Sequence, residues 1–363
     1  MRLAELEESE RAMRALVRSH DGTADELRAL VEARMWLGCG ARLGGGASSP
    51  PGAMFHEPHA LGWLHQYLGA QDRQSSFRAH TREEAKHHSP TVSTQLFTPR
   101  WVADWLIAEA LAATAPGAIR TVLDPACGGG QMLLAAVDAL IDTGSAPRDA
   151  LRAVRGVDLD PTAVATCRTT LKIHAARLLN SRDAALEAAI DAQVRVADGL
   201  FDDVAPADIV VTNPPYMGTR SMPPALKARL AGEFPGYHHD LFLAFVARCA
   251  ALTTGSVAIL TQQTLWYLKR FEHARRDLLA RGGLTAVAHL GHGVFEALGG
   301  EKATVMAWVW SEEHAGATRF YDLRSHRTPQ QKRRALMEVE PSVRDTASFA
   351  AIPAAGHRPT DLG

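Results

Sequence analysis

Apolar side chains recur at the three- and four-residue spacing of a helix from Leu3 to Val17 and again from Leu27 to Leu37, which predicts a helical hairpin at the amino terminus. The Gly/Ser/Pro-rich run at residues 44–52 breaks that pattern and reads as a linker. A further helix is predicted over Leu61–Leu68, and the charged stretch Arg82–His88 that follows reads as a face turned to solvent or to DNA. Near Pro90 the rhythm changes. Short apolar runs now alternate with amphipathic helices, and strands are predicted at Thr121–Leu123, Ala153–Val157, Val194–Val196, Ile209–Val211, Ser256–Leu260, Leu284–Leu290 and Thr304–Val309. This alternation predicts an α/β, doubly wound, Rossmann-like sheet whose ligand lies beyond the carboxyl ends of the strands. The expected organisation is a helical region at 1–90, a sheet domain at 91–310 and an extension at 311–363, with the last strands able to pair antiparallel.

Composition narrows the classes. With 363 residues, 46% of them hydrophobic, the chain can bury one large α/β core and a smaller appendage. No apolar run reaches the roughly 20 residues of a membrane span, and the charged amino terminus does not resemble a secretory signal, so a cytoplasmic location is expected. Cys39, Cys127, Cys167 and Cys249 form no Cys-x-x-Cys pair, so reduced thiols are expected rather than zinc ligands or disulfides. A net charge of -1 leaves nucleic-acid binding open, because a local basic groove can sit on a neutral chain.

Candidate chemistry begins at Asp124-Pro125-Ala126-Cys127-Gly128-Gly129-Gly130, which follows a predicted strand and precedes a helix. Consecutive glycines let the backbone turn tightly against a ligand. Neither the Gly-Lys-Ser/Thr of a phosphate loop nor Gly-x-Gly-x-x-Gly is present, and an acidic lead-in suits the amine-bearing end of S-adenosylmethionine better than a pyrophosphate. At the end of the next strand, Asp158 in Gly156-Val157-Asp158-Leu159-Asp160-Pro161 can accept hydrogen bonds from ribose hydroxyls, while Asp160 reads as a helix N-cap. In Ala197-Asp198-Gly199-Leu200, Asp198 is placed to bind the amino group of the cofactor's adenine.

The most informative motif is Asp208-Ile209-Val210-Val211-Thr212-Asn213-Pro214-Pro215-Tyr216. A strand cannot run on through two prolines, so the chain must turn and leave Asn213 at the sheet edge. An exocyclic amine conjugated to a ring is a poor nucleophile, because its lone pair is delocalised. The Asn213 side-chain oxygen and the Pro214 carbonyl can accept its hydrogens and favour a pyramidal nitrogen, with Tyr216 stacking on the base. A base in a duplex must be flipped out before it can be reached in this way.

Together these residues resemble the gamma-class DNA adenine-N6 methyltransferases, in which the cofactor motif precedes Asn-Pro-Pro-Tyr. The segment Ser93-Thr94-Gln95-Leu96-Phe97-Thr98-Pro99 is similar to the family's cofactor-covering stretch, which carries a cofactor role to Thr98 and Pro99. Likewise His239–Phe245 is similar to its aromatic helix, with Phe245 matching the residue that packs on the cofactor's adenine. Gly293-Val294-Phe295-Glu296 and Glu301–Val305 resemble the loop that sandwiches the flipped base, making Phe295 the candidate ring and Lys302 a candidate phosphate contact. A closer resemblance, carried by Ala60–Leu68 and Thr94–Trp101, is to the methyltransferases of BREX-type phage-defence systems. It implies a class I methyltransferase sheet with an amino-terminal helical domain. It also implies S-adenosylmethionine as cofactor, DNA as substrate, and sequence recognition supplied by a separate subunit or a further carboxyl-terminal region.

Several features carry less. His56-Glu57-Pro58-His59 lacks the helical spacing and extra ligands of a metal site, so no metal is expected. His238 and His239 read as a helix start rather than a general-base pair, and Arg324, Arg327, Lys332, Arg333 and Arg334 read as a solvated helix face ahead of a phosphate-contact cluster. Three functions stay open at this point: DNA adenine methylation, methylation of a protein glutamine or RNA adenine, and a non-catalytic subunit of a defence complex.

Overall fold

The computed structural model describes residues 3–20, 22–42, 53–65, 67–68, 98–114, 121–295 and 304–345. In chain order the elements are α1 (Leu3–Ser19), α2 (Ala24–Arg42), α3 (Arg100–Ala113), β1 (Val122–Asp124), α4 (Gln131–Asp142), α5 (Pro147–Ala153) and β2 (Val154–Asp158). They continue with α6 (Pro161–Leu179), α7 (Ala184–Gln193), β3 (Val194–Val196), β4 (Ala207–Thr212), α8 (Pro224–Glu233), α9 (Leu241–Leu252) and β5 (Thr253–Gln262). Then come α10 (Thr264–Tyr267), α11 (Glu272–Arg281), β6 (Gly283–Gly291), β7 (Val305–Ser311), β8 (Ala317–Asp322), α12 (Pro329–Glu338) and β9 (Ser342–Asp345). All seven strands expected from the sequence are present within a few residues of their expected ends. The linker at 44–52, the charged stretch 82–88 and the segment 93–97 lie outside the described residues. Among the described residues no helix is long and apolar enough to cross a membrane.

The chain divides into two compact units, Met1–Ser93 with Cys127–Asp198, and Thr94–Ala126 with Gly199–Gly363. In the first, β2 and β3 pair in parallel, with Asp158 opposite Val196. The amino-terminal helices do not stand apart from this unit as the sequence reading expects. Arg177 of α6 donates to the Phe55 carbonyl (2.8 Å), Arg182 lies 4.6 Å from the Trp36 ring centroid, and Met13, Leu27, Val31 and Met35 are buried. Helix α6 starts at Asp160, whose carboxylate accepts the Thr162 N–H, with proline next in sequence; this is the N-cap read from the sequence.

In the second unit the strand order is β1-β4-β5-β7-β6-β8-β9. Strands β1, β4 and β5 are parallel, β7 runs antiparallel between β5 and β6, and β8 returns parallel to β6. The antiparallel pairing of the late strands is as expected. Strands β6 and β7 are buried at every position, and accordingly their sequences are nearly continuous apolar runs rather than alternations. Trp308 and Trp310 lock β7 by donating to Thr261 Oγ1 (2.9 Å) and to the Leu278 carbonyl (3.1 Å). Because β1, β4, β5, β6 and β8 point the same way, Asp124, Asn213, Gln262, Gly291 and Asp322 end at one edge of this unit's sheet.

Residues 311–345 differ from the expected extension. Strands β8 and β9 continue the sheet, and α12 opens with a Thr328–Gln331 capping box. The basic cluster of this segment is neither a solvated face nor a phosphate contact throughout. Lys332 is 1% exposed and its ammonium donates to the carbonyls of Leu290 (2.6 Å) and Leu323 (3.0 Å), while Arg324 pairs with Asp322 and Arg334 with Glu338. The spacing of charges along a helix does not reveal that one lysine faces the carbonyls of Leu290 and Leu323. Replacing Lys332 by Ala is expected to cost about 1–3 kcal/mol, because it takes a buried donor from the Leu290 carbonyl, while the Leu323 carbonyl keeps the His326 N–H (3.1 Å). The exposed Arg334→Ala should stay within about 0.5 kcal/mol; urea unfolding of the two variants measures the difference.

Candidate active site

In the first unit the glycine turn is held by the strand that follows it. Asp158 ends β2 and is 8% exposed; its Oδ2 accepts the Gly128 N–H (2.9 Å) and its Oδ1 the Asp160 N–H (2.9 Å). Burial pushes this carboxyl above its ordinary range, opposed by those same N–H donors. Each carboxylate oxygen keeps a second lone pair, so Asp158 can brace the turn and still accept from ribose hydroxyls. Next to it Leu159 is 57% exposed, an apolar side chain suited to the face of an adenine. Gly128 and Gly130 have left-handed φ of 52° and 90°, and a Cβ on Gly130 would lie 2.7 Å from Cys167 Sγ. Cys127 is buried, its amide donates to the Val157 carbonyl (2.9 Å), and its thiol packs where Gly156 leaves room. Asp198 is half-buried just after β3, and the preceding Ala197 N–H donates to the Asp158 carbonyl (3.0 Å).

One residue of this region escapes the sequence reading. Gly62, in the helical turn at residues 60–65, lies against the glycine turn: a Cβ on Gly129 would be 3.1 Å from Gly62 Cα, and one on Gly62 would be 1.6 Å from Gln131 Nε2. A glycine inside a helical pattern is the signal that marks such a close approach.

In the second unit Asp124 ends β1 and is 2% exposed, and its Oδ1 accepts the Ala126 N–H (3.0 Å), bending the chain through Pro125. The Pro125 carbonyl occupies the place of a side chain at Gly199, where a Cβ would lie only 1.8 Å away. Arg248 holds the same bend by donating to the carbonyls of Gly199 (3.2 Å) and Asp202 (2.6 Å). Three of the expected cofactor residues, Ala126, Leu200 and Phe245, meet in one apolar cluster with Met217. Thr98 is buried, and Pro99 starts α3, its carbonyl accepting from Val102 and Ala103.

The Asn-Pro-Pro-Tyr segment leaves β4 as the prolines dictate. Asn213 and Pro215 are half-buried and Pro214 is buried. The Tyr216 hydroxyl lies 2.9 Å from Asn213 Oδ1 and 3.2 Å from the Leu260 carbonyl on β5, and its ring meets Phe242 edge-on at 6.0 Å. Tyr216 thus fixes the carboxamide, a task the sequence reading did not give it. Tyr216 and Phe295, the expected base-stacking rings, are 8% and 4% exposed. Lys302 lies outside the described residues.

Asp240 is a further residue the sequence did not single out. Its Oδ1 accepts the Met217 N–H (3.1 Å), and the Leu241 N–H donates to the Met217 carbonyl (3.0 Å), so both backbone groups just after Tyr216 are held. His238 and His239 lie in the turn before α9, their ring centroids 4.3 Å apart and the rings tilted by 39°. Burial pushes the Asp240 carboxyl up to about 6, against the N–H groups of Met217 and Phe242. A raised carboxyl pKa means that the fold prefers the protonated form, so the cost of the charge appears as pH rises from about 4 to about 6 and is full above that. Asp240→Asn keeps the acceptor and removes the charge. Its stability relative to wild type is therefore expected to be greater at pH 7.5 than at pH 4, by up to about 3 kcal/mol; thermal unfolding at the two values measures it.

The chain is similar to two adenine-specific methyltransferases: PglX of Lacticaseibacillus casei (strain Zhang), 38% identical over 103 residues, and BrxX of Escherichia coli O9:H4 (strain HS), 35% identical over 111 residues. These stretches cover 28% and 30% of this chain, and only 8% and 9% of the relatives' own lengths. Among solved structures, a class I S-adenosylmethionine-dependent methyltransferase from Listeria monocytogenes, described as putative, shares the fold with a TM-score of 0.51 and 16% identity. That likeness covers 92% of this chain and 98% of the other. The family model described as N-6 DNA Methylase matches residues 81–347, from before the glycine turn to beyond β9, and the chain belongs to that family.

Proposed function

We propose that the chain transfers a methyl group from S-adenosylmethionine to the N6 amine of adenine in DNA, within a restriction-modification or phage-defence system. The observation that carries this reading is the Asn213 carboxamide, left at the end of β4 by two prolines and fixed by the Tyr216 hydroxyl at 2.9 Å. Membership of the N-6 DNA methylase family supports it.

The residues fit the cofactor. Glycines in left-handed conformation let the backbone approach a ligand, the exposed Leu159 offers an apolar face, and Asp158 retains acceptor capacity for hydroxyls. Asp124 supplies the negative charge that suits an amine-bearing end, and Leu200, Phe245, Thr98 and Pro99 supply apolar contacts in this reading. When bound, the cofactor supplies an electrophilic methyl on a sulfonium. Asn213 Oδ1 and the Pro214 carbonyl accept the two hydrogens of the target amine and draw its lone pair out of conjugation. Methyl transfer makes the nitrogen cationic, so its proton leaves readily and no strong base is needed beforehand. The rings of Tyr216 and Phe295 stack on the extruded base, and Lys302 contacts phosphate.

Asn213→Ala is expected to lower methyl transfer at least about a hundredfold, comparable to the loss of one oriented polar group in other active sites. Cofactor affinity measured by calorimetry should change little. Wild-type turnover in this variant would overturn the assignment.

A further inference from the structure

The helical turn at residues 60–65 touches both of the loops that Asp158 joins. Gly62 and His65 are three residues apart in that turn and so lie on one side of it. Gly62 meets the glycine turn, its Cα 3.1 Å from where a Cβ on Gly129 would stand. His65 meets the loop after β2, its Nε2 3.8 Å from Asp160 Oδ2. Asp158 accepts from Gly128 in the first loop and from Asp160 in the second, at 2.9 Å each, so the three pieces of chain support one another. The amino-terminal piece is fastened to α6 by Arg177, which donates to the Phe55 carbonyl (2.8 Å).

Gln131, the first residue of α4, fills the space between Gly62 and the glycine turn. It is 7% exposed, and its carboxamide supplies the three atoms nearest to a Cβ on Gly62, the closest of them well inside van der Waals contact. Its Oε1 would lie 3.3 Å from a Cβ on Gly129. Its Nε2 is buried and has no hydrogen-bond partner among the described residues, so packing against Gly62 holds the carboxamide there, not a bond to that amide.

Both halves of this contact carry a cost. A buried donor without an acceptor is unfavourable, and so is a glycine inside a helical turn. Such local costs, gathered at one place, mark a site kept for use rather than for stability. The use lies in the turn itself: Gly128 and Gly130 have left-handed φ of 52° and 90°, and glycine gives a loop no stiffness of its own. Asp158 braces it at Gly128, and Gly62 with Gln131 braces it at Gly129, the next residue.

On the reading that S-adenosylmethionine binds at Gly128–Gly130 and Asp158, we propose that Gly62, His65 and Gln131 are positioning residues for the cofactor. The turn at 60–65 clamps the glycine turn and the β2 loop in the shape that receives it, so the amino-terminal region sets cofactor affinity.

Calorimetry with S-adenosylmethionine on the full chain tests this in wild type, Gly62→Ala, Gly62→Ala combined with Gln131→Ala, His65→Ala and Asp158→Ala. Gly62→Ala is expected to weaken binding about tenfold, the size of one hydrogen bond lost when the displaced carboxamide presses on the turn. Shortening residue 131 clears the added methyl, so the double variant should return to within about threefold of wild type. The loss should appear in Kd and in KM for the cofactor, with kcat at saturating cofactor within about twofold of wild type, a split that general destabilisation would not give. With Asp158→Ala weakened, unchanged affinity in Gly62→Ala, or a double variant no better than the single, overturns the clamp and leaves the cofactor reading intact. Wild-type affinity in Asp158→Ala overturns that reading and the clamp with it. Should Gly62→Ala fail to fold, His65→Ala decides: about threefold weaker binding supports the clamp, and wild-type affinity overturns it.

Discussion

Pro214 and Pro215 have no backbone N–H, so β4 cannot carry its ladder beyond Thr212, and much of the chemistry in this chain depends on that constraint. The strand ends with a carboxamide at the sheet edge, and the turn brings Tyr216 back to β5. One hydroxyl then faces two acceptors, Asn213 Oδ1 and the Leu260 carbonyl, and ties the loop to the neighbouring strand. Asp240 completes the arrangement by holding the backbone of Met217 on the far side of the tyrosine. A flexible carboxamide would lose its orientation each time a substrate amine approached. Under the proposed function the Tyr216 bond would set that orientation before the substrate arrives, which is what electrostatic preorganisation requires.

The glycine turn follows a parallel logic with a different brace. Three glycines would leave a floppy loop, but Asp158 accepts the Gly128 amide and the Cys127 amide reaches the Val157 carbonyl, so the turn is tied to the end of β2. The same carboxylate is the proposed ribose acceptor. A residue that braces a loop and binds a ligand makes the loop's shape depend on its own ionisation, and burial raises the pKa of that group.

Much of this was legible in the sequence, because the signals were local. Alternating short apolar runs located seven strands, paired prolines located the end of β4, and Asp-before-Pro located the cap of α6. What escaped depends on partners distant in the chain. Strand β8, Ala-Thr-Arg-Phe-Tyr-Asp, carries too few apolar residues to announce itself, and it becomes a strand by pairing with β6. Lys332 looks like one charge among several until the carbonyls of Leu290 and Leu323 are placed around it. Tyr216 reads as a stacking ring, and only the position of Leu260 shows what its hydroxyl does. For the same reason Asp240 and Gly62 could not be assigned from spacing alone.

The central claim is the identity of the atom that receives the methyl group. The most direct measurement incubates the full chain with DNA and a cofactor whose methyl carbon is labelled, then digests the DNA and separates its nucleosides by mass. The account predicts label in N6-methyl-2′-deoxyadenosine. Label in a methylated cytosine instead, or in RNA or protein offered alongside while the DNA adenine stays unlabelled, would contradict it.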